Sequence, residues 1–392
     1  MLLKKRSCWS SLICILFLLT GCWDRIEIDQ RGFVIGVAID YSHISKHKFK
    51  GTYQIVVPSG LKQSSQGQRG SDSSGKAYFN LSTTENSMPA ISARLAARTS
   101  RTPYFEHLKI IIVSSEVAKD DKIFADLLDF FLRNNEMRRS VQILIADGKA
   151  ADILDIPTFN EPTPIDYITS IARNDRKTNY MLPESRIGDV HEFLVKHESF
   201  AIQTVRLEEK GVSMTGSAIF DGKTKEFVGF LQGEETQGLN FVTERVKGGI
   251  IEAKIKDHTF AFRAERTKSK ITMQQFSPTK FKFNIKLATE GVLDKSMSEY
   301  DPSNSEAIKD LEKSLEDVVK ANTLKVIKKL QQTYKKDALG LGAFLYENHY
   351  KLWKPIENDW DQGLNIFTQS EINVQAEVII RRIGNIIKTT KE

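Results

Sequence analysis

Leu19-Thr20-Gly21-Cys22 carries the clearest covalent chemistry in the sequence. The thiol of Cys22 can take a diacylglyceryl group as a thioether, and the small residues before it suit cleavage just upstream. Lys4-Lys5-Arg6 supplies positive charge ahead of the apolar run 12–19. That order is a secretory signal, and the run is too short to span a bilayer as a mature helix. The register predicts a lipobox: residues 1–21 form a lipoprotein signal peptide, and Cys22 carries S-diacylglycerol and an N-acyl chain such as palmitate. Each buried methylene contributes about 0.8 kcal/mol, so one chain binds marginally while two or more hold firmly. Cys8 and Cys14 leave with the signal, so the mature chain has no second thiol for a disulfide.

Other residues with chemical potential do not assemble. His191-Glu192 and His197-Glu198 are spaced so that the two rings cannot share a helix face as an i, i+4 metal pair would. Gly211-Val212-Ser213-Met214-Thr215-Gly216 is one residue longer than a nucleophile elbow and falls between strands. Gly340-Leu341-Gly342 follows no strand and lacks the third glycine and the Lys-Ser/Thr of a phosphate loop. Asp24, Glu27 and Asp29 lack a glycine-kinked calcium loop. The sequence therefore predicts no catalytic residue, no metal and no cofactor. Trp353 and Trp360 stand seven apart and would share one side of a helix that ran through Pro355. They are expected either to pack domains together or to anchor a partner interface.

The elements that must position these residues follow from periodicity. Residues 32–40 and 49–57 read as strands, and 59–76 as a Gly/Ser/Gln-rich loop. Strands at 77–83, 108–113 and 141–146 alternate with helices at 89–100 and around Phe124 to Phe131, which implies a crossover unit with helices on a sheet. Helices at 164–172 and 187–196 close this region. From residue 200 to 293, short strand-like pieces are split by turn signals, with one helical piece at 232–243, so this part reads as mostly antiparallel. After a polar linker, Ile308, Leu311, Leu315, Val318, Val319, Ile327 and Leu330 trace the apolar stripe of a long helix ending near Tyr334. A shorter helix spans 338–351, and a strand with strict alternation runs over 372–380. The expected class is α+β, in three mixed α/β domains at 22–198, 199–296 and 297–392.

Composition sets the remaining bounds. At 40% hydrophobic and 27% charged residues the chain is ordinary for a globular protein. Loss of the signal leaves 53 basic against 50 acidic side chains, or +3, too little for nucleic-acid binding. No apolar run near membrane-spanning length follows Cys22, so acyl chains are the expected attachment.

Both ends of the chain resemble one family. Cys22-Trp23-Asp24-Arg25-Ile26-Glu27-Ile28, followed by Val34-Ile35-Gly36-Val37-Ala38-Ile39-Asp40, is similar to the lipidated start of the Ger(x)C family, the C subunits of spore germinant receptors. Leu339-Gly340-Leu341-Gly342, Tyr350-Lys351-Leu352-Trp353, Trp360 and the closing Arg382-Ile383-Gly384 resemble that family's C-terminal module. The resemblance implies a three-domain lipoprotein, lipid-anchored on the outer face of the cell or inner spore membrane. It further implies non-catalytic action beside A and B membrane subunits that sense small nutrients. A solute-binding lipoprotein of a transporter is the alternative, but it would show two α/β lobes joined by a hinge. The Trp353/Trp360 face and the exposed side of the helix over 308–330 are candidate contact regions.

Overall fold

The computed structural model describes residues 30–42, 49–58, 77–158, 160–255, 258–294 and 305–383. β1 (Arg31–Tyr41) is buried along almost its whole length, as its unbroken apolar run requires of a strand covered on both faces. It pairs antiparallel with β2 (Phe49–Val56), and β2 pairs in the same sense with β3 (Tyr78–Glu85). α1 (Met88–Ala96) starts at Ser87, whose hydroxyl accepts the Ala90 N–H, with a proline in its first turn. β4 (Thr102–Tyr104) and β5 (Ile110–Ser114) then lie parallel to β1 on its other side.

Parallel pairing needs crossover connections, and helices supply them. α2 (Ser115–Ala118) and α3 (Asp121–Arg133) lead to β6 (Gln142–Asp147), parallel to β5. α4 (Ala150–Ile153), α5 (Pro164–Ala172) and α6 (Ile187–Lys196) lead to β7 (Phe200–Glu208), parallel to β6. The helices cover both faces. Ile111, Val113, Ile143 and Ile145 pack with α1, α3 and α6, while Ile110, Ile112 and Leu144 pack with α4 and α5. Alternation along each strand thus feeds two separate cores.

The sheet does not stop at the expected 198/199 boundary. β8 (Gly211–Ser213) and β9 (Ser217–Phe220) pair antiparallel with β7, and β10 (Phe227–Leu231) pairs with β9. The main path of the first sheet is β10-β9-β7-β6-β5-β1-β2-β3. Stacked rings weld the added strands to the earlier core: Phe220 lies 4.7 Å from Phe124 and 5.3 Å from Phe200 between ring centroids.

After α7 (Gly233–Val242) comes β11 (Ile250–Ile255), then one long hairpin in place of the expected short pieces. Its arms are β12 (His258–Ser277) and β13 (Lys280–Asp294). α8 (Ser305–Lys328) continues through a π-helical turn at Lys329–Tyr334, close to its predicted end. α9 (Leu341–Asn348), α10 (Tyr350–Trp353) and α11 (Ile366–Gln369) precede β14 (Glu371–Ile383), which pairs parallel with β13. The second sheet, β11-β12-β13-β14, therefore spans both sides of the 296/297 boundary. Leu315, Val319, Val326 and Leu330 of the helical segment pack on Phe283, Ile285, Val374 and Val378 in its core.

Candidate functional site

The turn after α8 buries a carboxylate among donors of its own chain. Asp337 is buried, and its Oδ1 accepts the N–H groups of Leu339, Gly340 and Leu341 at 3.2, 3.1 and 3.2 Å. Oδ2 accepts the Gly342 N–H at 2.6 Å and the Trp360 indole Nε1–H at 2.8 Å. The Leu-Gly-Leu-Gly segment is thus a nest of backbone donors closed around a carboxylate of its own chain, rather than a phosphate cradle. Gly340 enters it at φ +82°, in the left-handed region that glycine tolerates. Gly342 leaves room for the indoles, since a Cβ there would meet Trp360 Nε1 at 2.8 Å and Trp353 at 3.1 Å. Burial pushes the Asp337 carboxyl up to about 6, against the pull of the Gly342 and Trp360 donors; the nearby Asp361 pushes the same way as burial.

Around this nest, the C-terminal module is bonded to the first sheet. Ser199 Oγ donates to Asp361 Oδ2 at 2.6 Å. Burial raises Asp361 above the ordinary carboxylate range, and the Ser199 hydroxyl opposes the rise. Lys336 Nζ reaches Asp221 Oδ2 at 2.6 Å and donates to the Asp361 carbonyl at 2.9 Å. Asp221 also accepts Gln362 Nε2 at 2.7 Å and the N–H groups of Lys223 and Thr224. Burial alone would raise Asp221, but these donors, Lys336 foremost, hold it below its ordinary value. Further along, Lys329 pairs with Glu235 at 2.7 Å and Tyr334 donates to the Phe230 carbonyl at 2.7 Å. The end of α8 is thereby tied to β10 and α7.

A cleft of about 450 Å³ opens beside the network, and Phe193, Glu198, Arg245, Ala343, Tyr346 and Trp353 are among the residues that line it. Its size suits a small ligand or an inserted side chain. The Asp337, Asp361 and Asp221 carboxylates beside it are each engaged by the donors named above, while burial raises Glu198 in its lining above the ordinary carboxylate range.

The residues singled out from sequence fall as follows. Cys22, Asp24, Glu27 and Asp29 lie outside the described residues. His191 sits within α6, while His197 caps its end at φ +55° and Glu192 pairs with Lys196 at 2.7 Å. The Gly211–Gly216 stretch forms β8 and the turn to β9. Among the described residues, no cluster of three or more His, Cys, Asp or Glu side chains is placed to hold a metal. Trp353 and Trp360 do meet, with ring centroids 6.0 Å apart, but not along one helix: α10 ends at Trp353 and turns follow. Trp360 is 3% exposed and bonded to Asp337, so it serves packing and offers no surface to a partner. Trp353, half-buried, lines the cleft. Sequence reasoning missed Asp337, Asp361, Asp221 and Lys336. An aspartate two residues before Leu-Gly-Leu-Gly was the available signal, since aspartate side chains readily accept backbone N–H groups in turns.

Comparison with known proteins places the chain. The model of the spore germination protein N-terminal domain matches residues 24–207, and that of the spore germination B3/GerAC-like C-terminal domain matches residues 215–384. The chain belongs to the Ger(x)C family. Spore germination protein YndF of Bacillus subtilis (strain 168) is 29% identical, with 98% of each chain covered. Spore germination protein B3 of the same organism is 27% identical over 98% of this chain and 100% of its own. The crystal structure of the GerBC protein superimposes with a TM-score of 0.60 at 25% identity, covering 92% of this chain and 100% of that one. The boundary between the two Ger(x)C models, residues 208–214, takes in the end of β7, the turn and β8, inside the first sheet. The Asp337 nest lies in the C-terminal one. No helix among the described residues of this Ger(x)C protein is long and apolar enough to cross a membrane.

Proposed function

We propose that this Ger(x)C protein is the non-catalytic, lipid-anchored C subunit of a nutrient germinant receptor, docking beside A and B membrane subunits in spore germination. The observation that carries the reading is the match of both family models in chain order, over nearly the whole length and on a shared fold. Acylation of Cys22 supplies membrane residence, and a tether raises the effective concentration of the folded surface near membrane partners, so modest contacts suffice. The saturated state of Asp337, Asp361 and Asp221 supports a scaffold role, because groups held by so many donors are poorly placed to exchange protons with a substrate. Trp353 at the cleft mouth and the exposed side of α8 are the surfaces we assign to partner contact. Division into three domains at 22–198, 199–296 and 297–392 is retained as a reading of folding units, although the two sheets cross those lines.

The test is co-purification from detergent-solubilised membranes, with partners identified by mass. Two integral-membrane subunits in constant ratio are expected; recovery of this chain alone would overturn the docking reading. Cys22→Ala is expected to leave a foldable chain that is lost from membranes. Normal membrane retention of that variant would contradict the lipid assignment.

A further inference from the structure

β1, β5, β6 and β7 run parallel, so their N-terminal ends share one rim of the first sheet. The leader joins the fold at that rim, since β1 begins at Arg31. Four arginines gather there. Arg101 is exposed before β4, beside Gly32, and Arg138 and Arg139 are exposed before β6, whereas Arg98 reaches away to the Ser82 carbonyl on β3. Arg31 lies over the Tyr104 ring at 4.0 Å. The two loops adjoin, as the Phe105 N–H donates to the Glu136 carboxylate at 3.1 Å, and β1 and β6 stand two strand spacings apart, about 10 Å.

The charge here is not neutralised as it is nearby. Arg94 pairs with Glu85, Lys109 with Asp166 and Arg133 with Asp129. None of the four rim arginines forms an ion pair with a carboxylate among the described residues; Arg139 donates to the backbone carbonyl of Gly188. The acids near the rim arginines include Glu136, engaged with Phe105, Glu106, which bonds to Tyr104, and Glu192, which pairs with Lys196 and also faces Arg139. Between Cys22 and Gln30 the leader holds Asp24, Glu27 and Asp29 against Arg25, so attraction to an anionic surface must come from the folded rim.

We propose that this rim is the membrane-facing surface of the protein and that its arginines contact an anionic phospholipid bilayer. The proposal rests on the reading of Cys22 as the acylated residue. Eight residues from Cys22 to Gln30 reach at most about 28 Å, which keeps the sheet edge that bears the tether close to the headgroups. Surface attraction decays within a Debye length, about 8 Å at physiological salt, so only a face held that near gains from it. The tether and the arginines reinforce each other: the first confines the rim, and the second fixes its orientation.

The chain from Cys22 onward has one thiol, so it can be coupled through Cys22 to a maleimide lipid in vesicles of phosphatidylcholine, with or without phosphatidylglycerol. Amide hydrogen exchange is then followed at residues 98–109 and 134–141, with β12–β13 as the internal reference. On phosphatidylglycerol vesicles the rim amides should exchange roughly tenfold more slowly than on pure phosphatidylcholine, and high salt should abolish the difference. Arg101→Glu/Arg138→Glu should remove the protection, whereas Lys119→Glu/Lys122→Glu, an equal charge change on exposed positions beyond the C-terminal end of β5, should leave it intact. Equal exchange on both lipids, or equal protection in the two double variants, would overturn the proposal. Because coupling is chemical, failure here is separable from failure of acylation, which the mass of the native N-terminus decides independently.

Discussion

Replacement of Asp337 by asparagine should change how stability depends on pH. Burial raises the Asp337 carboxyl from 3.8 to about 6, so the native state holds a proton there that the unfolded chain releases. The contribution of this group to stability is therefore fully present below about pH 3.8 and is lost as pH rises through about 6. A shift of about two units at 1.36 kcal/mol each amounts to about 3 kcal/mol. Asparagine cannot ionise, so the difference in unfolding free energy, wild type minus Asp337→Asn, should fall by about 2.4 kcal/mol of that between pH 4 and pH 7. The absolute offset is a separate matter: the amide group would face the Gly342 and Trp360 donors and leave two buried N–H groups unpaired, at about 1–3 kcal/mol each. Urea denaturation followed by the fluorescence of Trp353 and Trp360 reads both quantities, with the pH dependence isolated in the difference. A difference that stays flat from pH 4 to pH 7 would refute the reasoning. It would mean that the five donors hold Asp337 ionised throughout and that they outweigh desolvation.

Other perturbations probe the same junction. Trp360→Phe keeps the ring packing but removes the N–H donated to Asp337, and should cost about 2 kcal/mol in chemical denaturation. Lys336→Met strands the buried Asp221 carboxylate and should cost about 3–5 kcal/mol, whereas Asp221→Asn/Lys336→Met should recover part of that loss in a double-mutant cycle.

Much of the architecture was legible because burial of regular elements leaves a local signature. The stripe of Leu311, Leu315 and Val319 marked α8, and Val374 and Val378 marked β14, since a helix and a strand must each turn one set of side chains inward. The limits 164–172 and 187–196 agree with α5 and α6. The hairpin of β12 and β13 was less legible. Charged residues such as Lys268 and Lys270 on its solvent face broke the apolar pattern into pieces, although the backbone pairing runs on unbroken past them.

By itself the sequence determined the order and kind of most elements, the family motifs at both ends and the expectation of an acylated Cys22. Those depend on neighbours along the chain, where spacing and residue type act directly. Only the tertiary structure decided that β7 to β10 complete the first sheet, that β14 joins β13 across the α8 region, and that Trp360 turns inward. It also decided the acid network, because Ser199 meets Asp361 and Asp221 meets Lys336 across more than one hundred residues of chain. An aspartate in a sequence is a solvated charge until distant segments close over it. Its burial, and hence its donors and its raised pKa, exist only once that packing is complete.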